Sequence, residues 1–135
     1  MTQSTYLKLV NISLWLVQGL LALSLVWSFF MKFFQPIEVL SSMWPWTSQA
    51  SPILIQFTAV VDLCAAIGLI LPSLLRIQPR LTPIAAIGII LLMICASVFH
   101  ILRGEASLVG PNIIFALLAL FIAWGRFRKF PIRSK

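Results

Sequence analysis

The chain reads as an all-α membrane protein: an antiparallel bundle of four transmembrane helices with both termini in the cytoplasm. Three observations predict this. Hydrophobic residues make up 61% of the 135 positions and charged residues only 10%, and the mean hydropathy is +1.05, well outside the range of a soluble domain. Four apolar windows, each close to the roughly 20 residues needed to cross a bilayer, fill most of the length. The cations are also distributed one-sidedly between the connections and tails.

The spans fall at about 9–30, 53–71, 83–102 and 109–126, within one integral membrane domain covering 1–135. The first runs from Leu9 to Phe30 with Gln18 midway. It is longer than a secretory signal core and is not followed by a small-x-small cleavage site, so it reads as a retained span. The second, Ile53 to Leu71, stops before Pro72. Pro79 and Pro83 bracket the turn into the third, with Pro83 suited to a first helical turn. Gly104 closes the third span, and Gly110-Pro111-Asn112 opens the fourth. That span is short and reaches Arg126 if the guanidinium snorkels to the headgroups. The connections 76–82 and 103–108 are short enough to force antiparallel hairpins. The longer first connection, about 31–52, carries Phe33, Phe34, Met43, Trp44 and Trp46, which suits a segment lying at the membrane–water interface. A lid over the bundle is the sharper alternative.

Charge sets the orientation and excludes one class of partner. Lys8, Arg76, Arg80, Arg126, Arg128, Lys129, Arg133 and Lys135 fall on one side, and only Lys32 and Arg103, diluted by Glu38 and Glu105, on the other. Eight against two is a positive-inside bias that puts the termini in the cytoplasm. The net charge of +7 then reads as attraction to anionic membrane lipid rather than as a nucleic-acid groove. Small residues at helical spacing (Ala59 and Ala66, Ser24 and Ser28, Ala119 and Ala123) suit close helix packing in lipid.

The polar residues inside the spans are the candidates for chemistry. Asp62, near the middle of the second span, costs about 2.5–3.5 kcal/mol to insert on translocon scales. A partner, protonation or a task must offset that cost. It is either a structural clasp, bonded to Gln18 or a serine, or a proton-accepting or ligand-orienting group. Gln18 falls at a similar depth. His100, the only histidine, lies near the outer end of the third span, where it could relay protons. Ser97 is one turn below it, and Gln56 and Asn112 sit near the outer ends of spans two and four. Together these residues define a polar track from the outer surface to Asp62 if all of them face inward. No metal site is expected: one histidine cannot make a bis-histidine haem site, and the ligands for zinc are too few. Cys64 stands about 200° from Asp62 and Cys95 about 140° from His100 on ideal helices, so both read as apolar filler.

The stretch DLCAAIGLILP from Asp62 to Pro72, then RIQPRLTPIAAIG from Arg76, HILRGE from His100, Asn112, and the closing Gly125-Arg126 together resemble the DoxX-like family. So does the opening Trp15-Leu-Val-Gln18-Gly-Leu-Leu-Ala, with Lys32 ending the span. The resemblance covers about four-fifths of the chain, through the order and spacing of its motifs. The family pattern usually has Glu where this chain has Asp62, one methylene shorter. The resemblance implies a four-helix protein of the bacterial inner membrane, in a family whose members are associated in some cases with quinone-linked sulfur oxidation or oxidative-stress complexes.

Under that implication, the chain is expected to be a small subunit of a redox system that admits a quinone-like lipid between its helices. Asp62 would exchange a proton with a quinone oxygen, His100 would relay it outward, and Gln18 would orient the head group. Gln56, Ser97 and Asn112 would complete the binding track. No covalently bound cofactor is expected, and electrons would come from a membrane or peripheral redox partner. The rival readings are a small proton-coupled transporter acting as a homo-oligomer and a non-catalytic assembly or anchoring protein.

Overall fold

In the computed structural model, residues 2–135 are described, apart from the side chain of Leu108. Five helices follow one another: α1 (Gln3–Phe34), the short α2 (Ile37–Met43), α3 (Pro52–Leu75), α4 (Leu81–Leu102) and α5 (Gly110–Trp124), with one-turn 3-10 helices at Pro45–Ser48 and Ala106–Val109. Four of them are long and apolar enough to cross a membrane: α1, α3, α4, and α5 with its continuation to Lys129. The chain is therefore a four-span helical bundle, and the described residues contain no strand.

Local chemistry explains the element ends. The Thr2 hydroxyl accepts the Thr5 N–H at the start of α1, and Ser51 accepts the Leu54 N–H at the start of α3, where Pro52 occupies the first turn. These caps satisfy donors that the first helical turn leaves open. Arg76, at the end of α3, takes left-handed backbone angles (φ 57°), and Gly104 after α4 does the same (φ 76°). Pro72 does not end its span, as its position suggests, but lies within α3, which continues to Leu75. Membrane helices tolerate such a proline because neighbouring groups re-satisfy the freed carbonyl.

Packing follows one rule. The buried positions of α1 are 14, 18, 21 and 25 with Ala22 beside them, those of α3 are 55, 59, 62, 66, 69 and 73, and those of α4 are 82, 86, 89 and 93 with Pro83 beside them. Steps of alternately three and four residues make a narrow inward stripe, the spacing of knobs-into-holes packing. The stripes meet in a core of Leu21, Leu25, Ala66, Leu69, Ala86, Ile89, Ala119 and Ile122. Along the chain, α1 lies against α3, α3 against α4 and α4 against α5, and α5 returns to α1. The outside is apolar: Leu16, Leu23, Phe57 and Leu117 are each at least 60% exposed. That reverses the soluble pattern and suits a surface solvated by lipid tails.

The two ends of the bundle differ. At one end the C-terminal tail folds under the α3–α4 turn: the Lys135 N–H donates to the Arg76 carbonyl at 2.8 Å, and Arg76 Nε donates to the Arg133 carbonyl at 3.0 Å. Lys129 lies over the Tyr6 ring there, so both tails share this basic end. At the other end, α2 and the following 3-10 turn cross the bundle mouth, with Leu40 and Thr47 buried.

Candidate functional site

Asp62 faces a counter-charge that its own span does not contain. Lys32, near the last turn of α1, places Nζ 2.9 Å from Asp62 Oδ2, and Ser28, one turn earlier, donates to the same oxygen at 2.8 Å. Both side chains of the ion pair are nearly buried, at 11% and 5% exposure. Ser28 and Lys32 extend the α1 stripe in its own steps of three and four from Leu25. A residue expected to mark the end of span one thus belongs to the bundle interior. Because both bonds end on Oδ2, Oδ1 is left with no protein partner among the described residues.

The pair forms one pole of a cavity of about 930 Å³ at the tryptophan-rich end. Trp27, Trp44, Trp46 and Phe99 supply its aromatic wall. The rings brace one another edge to face, Trp27 against Trp44 with centroids 5.8 Å apart and Trp46 against Phe99 at 6.0 Å. Lys32 Nζ also lies 5.8 Å from the Trp44 ring centre, within cation–π range. The long first connection therefore folds Trp44 and Trp46 over the cavity as a lid. Leu20 and Leu23 also line the cavity while being 59% and 71% exposed, which opens it toward the lipid. A volume in the hundreds of ångströms cubed, apolar walls and a few convergent polar groups are the usual makings of a small-molecule site.

His100 and Asn112 line the same cavity from α4 and α5. His100 Nδ1 stands 3.7 Å from Glu105 Oε2, and the Glu105 Oε1 accepts from Arg103, which also reaches Gln49 beside the lid. The His100 Nδ1, Glu105 Oε2 and Asn112 Nδ2 atoms are buried without a hydrogen-bond partner. Buried polar atoms left open in this way are uncommon and costly, and two of them belong to His100 and Asn112 of the cavity lining.

The remaining candidates lie elsewhere. Gln18 is buried but sits ten residues from Ser28, about 15 Å along the helix. Its amide donates to the Leu69 carbonyl at 2.7 Å, and its carbonyl accepts from Arg126 Nε at 2.7 Å. It is bonded to neither Asp62 nor any residue of the cavity lining. The Arg126 side chain does not snorkel outward. It turns inward, only 3% exposed, and also donates to Asn11 Oδ1 at 2.9 Å and the Phe130 carbonyl at 3.1 Å, with its guanidinium over Trp15. The widened last turn after α5, closed by a 2.6 Å bond from the Phe130 N–H to the Gly125 carbonyl, brings the Phe130 carbonyl to the Arg126 guanidinium. Gln56 is exposed on the outside of α3, and Ser97 is half-buried off the cavity wall. The single polar track thus divides into two clusters at different depths. Both cysteines are exposed, but Cys95, expected to be filler facing away from His100, lines the cavity with it, and Cys64 does not.

Among the described residues no three His, Cys, Asp or Glu side chains gather as a metal site would require. Neither a curated protein nor a solved structure matches the chain. The model of the DoxX-like family matches residues 16–122, which include Lys32, Asp62, His100 and every cavity-lining residue named above. On that match over most of its length, this multi-pass membrane protein belongs to the DoxX-like family.

Proposed function

We infer that the protein binds a quinone-like lipid in this cavity and serves as a small subunit of a quinone-linked redox or oxidative-stress system of the bacterial inner membrane. The observation that carries the reading is a charged, hydrogen-bonded couple, Lys32–Asp62, at one pole of a cavity otherwise walled by aliphatic and aromatic side chains. With the basic end in the cytoplasm, the cavity lies in the outer half of the membrane and admits its occupant from the lipid. A quinone ring offers a flat face to Trp27 and Trp44 and carbonyl oxygens to hydrogen-bond donors.

The chain's own residues supply the proton side of that chemistry. Lys32 Nζ donates to a carbonyl oxygen seated against the pair. Asp62 Oδ1, which has no hydrogen-bond partner among the described residues, exchanges the proton. His100, with Nδ1 turned toward Glu105, carries it at the mouth. Electrons enter from a redox partner. Leu21, Leu69, Ile89 and Ile122 pack the bundle beyond the cavity floor, which favours binding over passage of an ion through the bundle.

The test is lipid extraction of protein purified gently from its native membrane, wild type beside Asp62→Asn. Near-stoichiometric quinone in the wild type, lost from a folded variant, supports the reading. No quinone in either, or equal cellular activity at equal abundance of both, overturns it in favour of transport or assembly.

A further inference from the structure

The ionisable groups around the cavity balance one another. Among the described residues, Lys32 and Asp62 are the only Lys, Arg, Asp or Glu side chains in its lining, and they are bonded to each other at 2.9 Å. His100, also in the lining, faces Glu105 at 3.7 Å, and that carboxylate is already paired with Arg103. Neither pole holds an uncompensated charge. A charged occupant would bring its own charge into an apolar enclosure and find no free counter-charge. A neutral one would meet donors and acceptors at both poles: Lys32 and Ser28 on α1 with Asp62 on α3, and His100 on α4 with Asn112 on α5.

From this we propose that the Lys32–Asp62 pair is a specificity device, which restricts the cavity to neutral amphiphiles carrying a hydrogen-bonding oxygen at the ring or chain head and excludes both anionic and cationic lipids. The proposal rests on the reading of the cavity as a lipid-binding site but not on the occupant being a quinone. Its physical content is that two opposite charges, each able to recruit a counter-ion alone, cancel when bonded. Discrimination between ligands is then set by what the site repels as well as by what it holds. The consequence is a reversal: removing either partner converts a neutral-selective cavity into a charge-selective one, of opposite sign in the two cases.

The experiment uses the full chain in neutral detergent, with binding read from thermal stabilisation and from the emission of the cavity tryptophans. Four chain-matched probes are titrated: decylubiquinone, a neutral isoprenoid alcohol, dodecyltrimethylammonium and dodecanesulfonate. Wild type is expected to bind neutral probes saturably and the two ionic ones at least about tenfold more weakly. Lys32→Met should gain the cation, Asp62→Asn should gain the anion, and the double variant Lys32→Met/Asp62→Asn should return to neutral preference. Ionic probes binding wild type within about threefold of the neutral ones overturn the proposal, and this arm needs no variant to fold. Single variants shifting in the same direction overturn it too. If the isoprenoid alcohol binds and decylubiquinone does not, the quinone reading fails while charge selection stands. If decylubiquinone and the ionic probes bind alike, the reverse holds.

Discussion

Lys32 and Asp62 lie 30 residues apart, yet their charged atoms meet at 2.9 Å inside the bundle, with Ser28 bonded to the same carboxylate oxygen. This contact joins α1 to α3 at the depth where the cavity begins. Its energetics differ for the two partners. Asp62 sits mid-span on a short side chain, whereas Lys32 near the last turn of α1 has a four-carbon stem whose ammonium can be hydrated at the cavity mouth.

Removing one partner of a buried pair typically costs about 3–5 kcal/mol because the other is left uncompensated. Lys32→Met should therefore destabilise the protein by an amount in that range, and Asp62→Asn by less, since the freed lysine can be hydrated without leaving the cavity mouth. The double variant should be more stable than the sum of the two effects predicts. Reversible unfolding in mixed micelles measures this cycle. Additive single effects would mean that the contact is not formed in the membrane.

Arg126 makes an equally specific demand at the other end. Its guanidinium binds Gln18, Asn11 and the Phe130 carbonyl, tying α5 and the tail to α1, and Gln18 passes the tie to the Leu69 carbonyl of α3. Arg126→Lys keeps the charge but loses the fork that serves three acceptors. The expected loss is about 2–3 kcal/mol, with probe binding at the distant cavity preserved. Equal unfolding midpoints for wild type and variant would contradict the inward-turned arginine.

Two glycines should respond oppositely to alanine. A Cβ on Gly68 would lie 2.9 Å from Ala85 Cβ, a rigid neighbour at the α3–α4 contact, whereas a Cβ on Gly88 meets nothing within 4 Å. Gly68→Ala should push the two helices apart and cost about 1–3 kcal/mol. Gly88→Ala should be neutral or stabilising. Thermal unfolding of the two variants side by side decides it.

Cys95 lines the cavity and Cys64 does not. In a Cys64→Ser background, a saturating cavity ligand should slow alkylation of Cys95 by N-ethylmaleimide several-fold. In a Cys95→Ser background, the same ligand should leave the labelling of Cys64 unchanged. Equal protection at both positions would place the ligand elsewhere.

Much of the site follows from one regularity. Extending the buried steps of three and four along α1 gives Asn11, Leu14, Gln18, Leu21, Leu25, Ser28 and Lys32. The same steps along α4 lead from Met93 through Ala96 to His100, and along α5 from Asn112 through Phe115, Ala119 and Ile122 to Arg126. Asn11, Gln18, Ser28, Lys32, His100, Asn112 and Arg126 all lie on such a stripe, and Ser24, which also lines the cavity, is one residue off it. Gln56, read from depth, and Ser97, read from its place one turn below His100, fall one residue off it and lie outside the cavity lining. Lys32 and Arg126 escape a reading that treats terminal cations as snorkelling anchors, although their register marks them as inward-facing.

The sequence by itself determines the four membrane spans, their antiparallel order, the family and the presence of an acid within the second span. These follow from composition, hydropathy and spacing, which act locally along the chain. Which charge meets Asp62, that Gln18 belongs to Arg126 instead, and that Trp44 and Trp46 close a cavity were decided only in three dimensions. Those outcomes depend on the axial offset between neighbouring helices and on where the first connection comes to rest. A shift of one turn, about 5.4 Å, changes every partner across a helix interface while leaving each helix's own pattern intact.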